Sequence, residues 1–277
     1  MPLTPTSKKG TPPLLRWAGS KRQLLDELKF YWPPTAKRYV EPFCGSACLF
    51  FNVAPKHAVL GDINGDLVGT YRAIRTNPTN VWRQYRAIRA TKIEYYRVRR
   101  KSPSELKPTA RAARFLFLNR YCFNGLYRTN KQGHFNVPYG GCKQPSLYPS
   151  SLLAASKLLR RAKFISGDFE NTLSEVKAGD FVYLDPPYAL ESRRIFSEYD
   201  KNGFSVRDLD RLCDELRRIS ASGAWFLLSY ADTQATRVLF KEWFTRRIVT
   251  RRNIAGFAGH RKKSHELLVA NFPLPKP

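Results

Sequence analysis

An α/β fold, with a doubly wound parallel sheet and an inserted helical subdomain, is predicted by three observations. Short apolar runs alternate with amphipathic helical patterns along most of the chain. Three of those runs stop at a carboxylate, Asp62, Asp168 and Asp185, and ligands of open α/β sheets bind at the carboxyl ends of strands. Between about residues 67 and 118 the alternation gives way to consecutive helical patterns dense in basic residues. The 277 residues suit one large domain with a smaller insertion, and a hydrophobic content of 43% supplies a core.

Residues 1–13, polar and proline-rich, read as a flexible tail without the apolar centre of a signal peptide. An amphipathic helix is expected from about Ser20, as N-cap, to Phe30, with Gly19 allowing close backbone approach. Lys21 would then occupy the first turn, the unfavourable end for a cation. Either it is a surface lysine, or a carboxylate such as a ligand's faces it. Residues 39–51 read as strand, tight loop and apolar helix, with Gly45 at the sharp turn and Phe43 just before it. A second strand, 58–64, ends at Asp62, 17 residues beyond Gly45. An acid there can accept hydrogen bonds from a ribose, so glycine turn and acid together point to an adenosine-containing cofactor.

Helices follow over 67–74, 79–88, 94–100 and 110–118, with Pro78, Pro103 and Pro108 at the breaks. From 119 to 140, Gly, Asn, Arg and aromatic residues alternate without helical period, and 130–133 is a hairpin-turn candidate. A ribbon carrying Phe123, Asn124, Tyr127, Arg128 and Lys131 suits a DNA groove, arginine on guanine edges and an aromatic wedged into a base step. An Asn/Gly-rich surface loop is the plain alternative. A helix over 147–159 leads to a strand over 163–169. There Asp168 is expected to take a purine amino group and Phe169 to pack on a ring. A helix over 204–220, with Ser205 and Asp208 in a capping-box arrangement, precedes a strand over 224–230 and a helix over 233–240. A basic strand (246–253), a Gly/Arg/Lys loop (254–263) and a last strand (266–272) close the chain.

The stretch Asp180-Phe-Val-Tyr-Leu-Asp-Pro-Pro-Tyr188 is the focus. It reads as a buried strand halted by two prolines that cannot donate backbone hydrogen bonds. Asp185, the Pro186 carbonyl and the Tyr188 ring then stand within four residues. That set suits a flat ring with an exocyclic amino group, its hydrogens going to Asp185 and Pro186 and its face to Tyr188. A strand-ending turn without chemistry is the alternative.

Charge supports a polyanionic partner. With 48 Lys+Arg against 22 Asp+Glu, the chain carries +26, and nucleic acid is the first expectation. The five cysteines are scattered without metal-ligand spacing, which argues against a metal site and for reduced thiols in a cytoplasmic protein. No run approaches a membrane span.

Taken together, Arg16-Trp-Ala-Gly-Ser-Lys21, Val40-Glu-Pro-Phe-Cys-Gly45, Asp62-Ile-Asn64, Phe123-Asn-Gly-Leu-Tyr-Arg128, Phe135-Asn-Val-Pro-Tyr-Gly140, Asp-Pro-Pro-Tyr188 and Leu227-Leu-Ser229 resemble the Dam-type (D12 class, alpha group) DNA adenine-N6 methyltransferases. The resemblance runs from about Leu14 to Phe272. It implies a Rossmann-like sheet that binds S-adenosyl-L-methionine, with a catalytic domain over 14–66 and 145–277. Residues 67–144 would be a target-recognition insertion with a β-hairpin. It implies cofactor contacts from Trp17, Lys21, Asp62 and Asp185, alongside Phe43, Gly45, Asp168 and Phe169, and catalysis at Asp185, Pro186, Pro187 and Tyr188. It also implies that Phe123 wedges the duplex while Arg16, Asn124, Leu126, Arg128 and Pro138 read a short site in double-stranded DNA, GATC being the first expectation. Ala47 departs from a usual glycine, Gly141-Cys142 from Arg-Tyr, and Tyr230 from a common Asn. A monomer is expected, with any cognate restriction endonuclease acting separately.

Two rivals stand beside this reading. One is a non-catalytic nucleic-acid-binding protein on a decayed fold, against which Lys21 and the intact Asp-Pro-Pro-Tyr argue. The other is a methyltransferase for an RNA base or a glutamine side chain, against which the aromatic and arginine-bearing hairpin argues. The basic residues Arg251, Arg252, Lys262 and Lys263 are expected to set the salt dependence of binding.

Overall fold

The structure is a computed structural model and describes residues 11–141, 147–188, 204–251 and 263–277. The tail expected at 1–13 therefore lies outside the described residues up to residue 10. So do Cys142 and Lys143, Arg252 and Lys262, and the side chains of Arg251 and Lys263.

Seven strands form one sheet in the order β3-β2-β1-β4-β5-β7-β6. They are β1 (Arg38–Glu41), β2 (Ala58–Asp62), β3 (Ala162–Ser166), β4 (Asp180–Leu184), β5 (Trp225–Ala231), β6 (Phe244–Arg251) and β7 (Lys263–Ala270). The first five are parallel, with Tyr39 opposite Ala58 and Phe181, and Phe181 opposite Trp225. The expectation of a wholly parallel sheet is corrected at one edge. β7 runs antiparallel between β5 and β6, because β6 and β7 are consecutive and close as a hairpin rather than through a helical crossover.

β4 is buried along its whole length, which explains its unbroken apolar sequence. Phe181 and Tyr183 face one apolar cluster, together with α1 (Leu25–Phe30), α2 (Cys48–Val53), α3 (Gly65–Thr76) and α7 (Pro149–Leu159). Val182 and Leu184 face the other, with α8 (Phe169–Leu173) and α9 (Val206–Ala221). At the amino end of β4, Asp180 is sealed by Arg38, whose Nε and Nη2 donate at 2.9 and 2.6 Å. Asp185 stands just past the strand's other end.

The helices of the 67–118 stretch start where local chemistry says they should. Asn64 caps α3 by accepting from the Asp66 and Leu67 amides at 3.1 Å. Pro78 and Pro108 open α4 (Pro78–Arg86) and α6 (Pro108–Tyr121) from the first turn, where their missing N–H costs nothing. Thr91 caps α5 (Lys92–Arg100). α3 and α6 are joined by Arg111 and Asp66, and their apolar faces merge with one face of the sheet in a single cluster. The hairpin is present as two isolated bridges, Cys122 with Tyr139 and Thr129 with Phe135. The Asn130 side chain closes its turn by accepting from the Gln132 and His134 amides. The capping box at Ser205 and Asp208 starts α9, and α10 (Gln234–Leu239) follows β5.

The expected cap at Ser20 is corrected. A short 3-10 turn over Arg22–Leu24 precedes α1, with Lys21 at its cap position. The Ser20 hydroxyl instead meets the Ser46 hydroxyl at 3.1 Å, because the chain reverses over the 45–47 loop before the helix begins.

Close packing at Gly61 gives a test of this core. A Cβ there would lie 1.9 Å from Thr172 Oγ1 and 2.9 Å from its Cβ, and Thr172 is buried in α8. Gly61→Ala should destabilise the protein by about 1–3 kcal/mol through overpacking, measured as a lowered Tm. An unchanged Tm would show that α8 is free to shift.

Candidate active site

The sheet order reverses between β1 and β4, the switch point at which open α/β sheets bind ligands. Glu41 ends β1 and Asp185 follows β4 directly, so the two carboxylates flank that crevice. Asp185 Oδ1 is 2.9 Å from Lys21 Nζ and accepts from Ser229 Oγ at 3.3 Å. Ser229 is itself 3.1 Å from the Tyr183 hydroxyl. Among the described residues nothing bonds Oδ2 of Asp185, and the side chain is 21% exposed. Burial raises the Asp185 carboxyl above the ordinary aspartate range, and the neighbouring Lys21 charge only partly opposes it.

Lys21 is buried, and its carboxylate partners are the protein's own. Besides Asp185 it meets Glu266 of β7 at 3.3 Å and lies 5.6 Å from the Tyr188 ring centroid. Burial works against its charge, but Asp185, Glu266 and Tyr188 together hold its pKa above the usual lysine value. Tyr188 is half-buried, set edge-on to Tyr230 at 5.2 Å. Tyr230 in turn packs on Phe240, so the tyrosine that departs from the family's Asn serves as the wall behind Tyr188. Pro186 is buried and Pro187 exposed.

The glycine loop is pinned from three sides. Gly45 donates its N–H to Asp62 Oδ2 at 2.9 Å, and its carbonyl accepts from Tyr71 at 2.7 Å. Its φ of +44° and the Trp17 ring, 2.8 Å from where a Cβ would be, both demand glycine. Asp62 Oδ1 accepts from the Asn64 amide, so both its oxygens are oriented by backbone. Ala47 has φ +49° and is fully buried. A left-handed conformation there is the physical reason for the glycine that Dam-type enzymes carry.

Asp168, expected from the sequence to take a purine amino group, bonds within the protein through one oxygen. Its Oδ1 caps α8 and pairs with Arg211 at 2.7 Å, although Oδ2 has no partner among the described residues. Phe169 is buried against Phe43 (5.4 Å) and Phe204, under the Arg211 guanidinium. Arg211 itself, on α9, gave no signal in the sequence.

The proposed DNA-contacting positions gather on one side. Asn119 accepts from the Arg16 amide at 2.9 Å and donates to the Arg16 carbonyl at 2.6 Å, while Arg16 Nη1 reaches the Arg120 carbonyl. A Cβ on Gly125 would sit 2.7 Å from Arg16 Cβ, which puts Arg16 directly over the turn that carries Phe123 and Asn124. Phe123, Asn124, Arg128 and Pro138 are exposed and Leu126 is half-buried. Arg128 Nε donates to Asn136 at 2.7 Å. Trp17 stacks on Tyr127 at 5.9 Å and so links this face to the glycine loop.

Sequence reasoning missed Glu41, Ser229, Glu266 and Ile63. Ile63 is 59% exposed beside Asp62, and its apolar side chain just after a strand-end acid was a legible signal. Glu266 carried no signal, since only the antiparallel pairing of β7 brings it to Lys21. No group of three or more metal-ligating residues and no helix long and apolar enough to cross a membrane occur among the described residues. Cys44, Cys48, Cys122 and Cys213 are buried and unbridged.

This sheet, with its acids at the switch point, has the Rossmann-like architecture of a methyltransferase. Residues 17–254 match the D12 class N6 adenine-specific DNA methyltransferases, and the chain belongs to that family. It is 34% identical over 282 residues to the Type II methyltransferase M1.LlaDCHI of Lactococcus lactis subsp. cremoris, covering 98% of this chain and 99% of that protein. It is 33% identical over 285 residues to the Type II methyltransferase M.MjaIII of Methanocaldococcus jannaschii, covering 94% and 99%. A DNA adenine methylase of Serratia marcescens is 34% identical over 260 residues, covering 92% and 96%.

Glu41 supplies a pH test. It is buried, Oε2 has no hydrogen-bond partner, and burial, with the Asp185 and Asp62 charges, raises its carboxyl well above the usual value. An acid raised on folding costs stability wherever the unfolded chain is ionised. That penalty is absent below the ordinary glutamate value of about 4.3 and grows as pH rises above it. Glu41→Gln should therefore raise Tm at pH 7 and lose the gain at pH 4, read from melts across that range. A lower Tm at pH 7 would mean that an ionised Glu41 is stabilising.

Proposed function

We propose that this chain transfers the methyl group of S-adenosylmethionine to N6 of an adenine flipped out of double-stranded DNA, within GATC. The observation that carries the reading is Asp185, anchored through Oδ1 by Lys21 and Ser229, open at Oδ2, and followed by Pro-Pro-Tyr at the switch point.

Three features fit that cofactor. Glu41 offers a buried, partnerless oxygen of the sign an ammonium group requires. Gly45 keeps open, beside Trp17, the space a Cβ would fill. Exposed Ile63 next to backbone-anchored Asp62 pairs an apolar surface with an acceptor, as a purine nucleoside needs. Trp17, Lys21, Phe43, Gly45, Asp62, Asp168, Phe169 and Asp185 would hold it, and it supplies an electrophilic methyl group on a sulfonium. Asp185 Oδ2 and the Pro186 carbonyl accept the two amino hydrogens of adenine. The nitrogen lone pair, delocalised into the ring in the free base, is thereby favoured in a more tetrahedral arrangement that points away from the ring plane. Tyr188 holds the ring face. Orientation and exclusion of water supply the acceleration, and the proton leaves to solvent. No cysteine nucleophile is required.

The recognition role is proposed for 67–144 and the catalytic role for 14–66 with 145–277. Phe123 would wedge the duplex, while Arg16, Asn124, Leu126, Arg128 and Pro138 read the site. The reading carries with it a cytoplasmic monomer, with any restriction endonuclease acting separately. GATC rests on the likeness of these positions to Dam-type enzymes.

Labelled S-adenosylmethionine and plasmid DNA grown without adenine methylation test this directly. Modified adenines are then mapped by sequencing. Label on the adenine of GATC is expected; another site would overturn the specificity, and label on RNA or protein alone would overturn the substrate. Asp185→Ala should lower transfer by at least about 100-fold while leaving DNA binding intact, and normal turnover would remove Asp185 from the chemistry. Arg128→Ala should relax one base position by about 1–3 kcal/mol. A uniform loss across all sequences would make Arg128 a phosphate contact instead.

A further inference from the structure

The ion cluster behind Asp185 has an unequal composition. Lys21 is the only cation paired with Asp185 or Glu266 among the described residues, and it serves both. Glu266 lies on β7, opposite Ala231 of β5 and Ile248 of β6, at the centre of the antiparallel triplet. Its side chain is 6% exposed, and among the described residues Oε2 has no hydrogen-bond partner. Burying a carboxylate this poorly satisfied is costly. Its single described polar contact is the ammonium that also holds Asp185.

We propose that Glu266 is a positioning residue for methyl transfer, sharing the Lys21 ammonium so that Asp185 is fixed in place yet only partly neutralised and keeps a strongly accepting oxygen for the adenine amino group. This rests on Asp185 being the amino-group acceptor. A lone Lys21–Asp185 pair in a buried site would be a closed ion pair whose carboxylate is a weak acceptor. A second carboxylate 3.3 Å from the same ammonium draws on its charge from the far side. Among the described residues, the groups around Asp185 are Lys21 from the N-terminal segment, Glu41 from β1, Cys48 from α2, Tyr183 and Tyr188 along its own strand and turn, Ser229 from β5 and Glu266 from β7. Within that ring, the Glu266 charge pushes the Asp185 carboxyl upward and Lys21 pulls it down.

Glu266→Gln keeps the shape and an oxygen for Lys21 but removes the charge. The single-turnover methyl-transfer rate should fall by about tenfold, equivalent to about 1.4 kcal/mol, with KM for DNA and for S-adenosylmethionine unchanged. The acid limb of the pH–rate profile should move to lower pH, because Asp185 becomes easier to ionise. Glu266→Asp, which keeps the charge, should recover part of the rate. A parent-like rate and profile in Glu266→Gln would overturn the assignment. So would equal losses in the Gln and Asp variants that track their Tm, which would mark a purely structural residue. A readout independent of turnover is the 13C-detected titration of the Asp185 carboxyl. It should shift to lower pH in Glu266→Gln, and an unmoved titration overturns the coupling. A parent chain that transfers no methyl group would instead overturn the proposed function and the catalytic part of this assignment, while the titration still decides the coupling.

Discussion

The contact between Lys21 Nζ and Asp185 Oδ1, 2.9 Å long and mostly buried, holds the candidate site together. It joins the N-terminal segment, which is in neither a strand nor a regular helix at that point, to the end of the central strand β4. A buried ammonium and a buried carboxylate each stand at high cost alone, so the pair fixes both. Everything that approaches the site is placed with respect to it. Ser229 orients the same oxygen from β5, Glu266 holds the ammonium from β7, and Tyr188 lies beside the lysine over its Pro-Pro turn.

The same N-terminal segment also links the Gly45 loop to the hairpin. Arg16 is gripped at both backbone groups by the Asn119 side chain of α6, and Trp17 lies between the Gly45 loop and Tyr127 of the hairpin. Arg120 donates to the Leu14 carbonyl from the same helix. The stretch from Arg16 to Lys21 is thus held by α6 on one side and by the end of β4 on the other. α6, expected from the sequence only as a helix over 110–118, is the element that grips this segment.

The chain is strongly basic, yet its candidate catalytic crevice is acidic. Asp62, Glu41 and Asp185 stand at the carboxyl ends of β2, β1 and β4, and Glu266 of β7 shares the Lys21 ammonium with Asp185. Negative charge in the crevice opposes the binding of phosphate there, while a net charge of +26 on the whole chain favours a polyanion elsewhere on the surface.

How much of this was legible in the sequence depended on whether the cause was local. The β4 strand and its stop were legible because an apolar run and two prolines act on their own neighbours. Gly45 and Asp62 were legible because a parallel βαβ unit fixes the spacing between a turn and the next strand's end. The cap at Ser205 was legible because its side chain bonds the amide three residues on. Ser20 was misread because its hydroxyl found a nearer partner in Ser46, 26 residues away. Arg211 as the partner of Asp168 was not legible because nothing local announced it, and Glu266 was invisible because a charge inside an apolar strand has no meaning until its neighbours are known. The sequence by itself determined the fold class, the strand-end acids and the family, since each rests on interactions between near neighbours or on contiguous motifs. Only the tertiary structure decided which carboxylates share one ammonium, which residues grip Arg16 and which way β7 runs, because those depend on pairings between segments that are not neighbours in the chain.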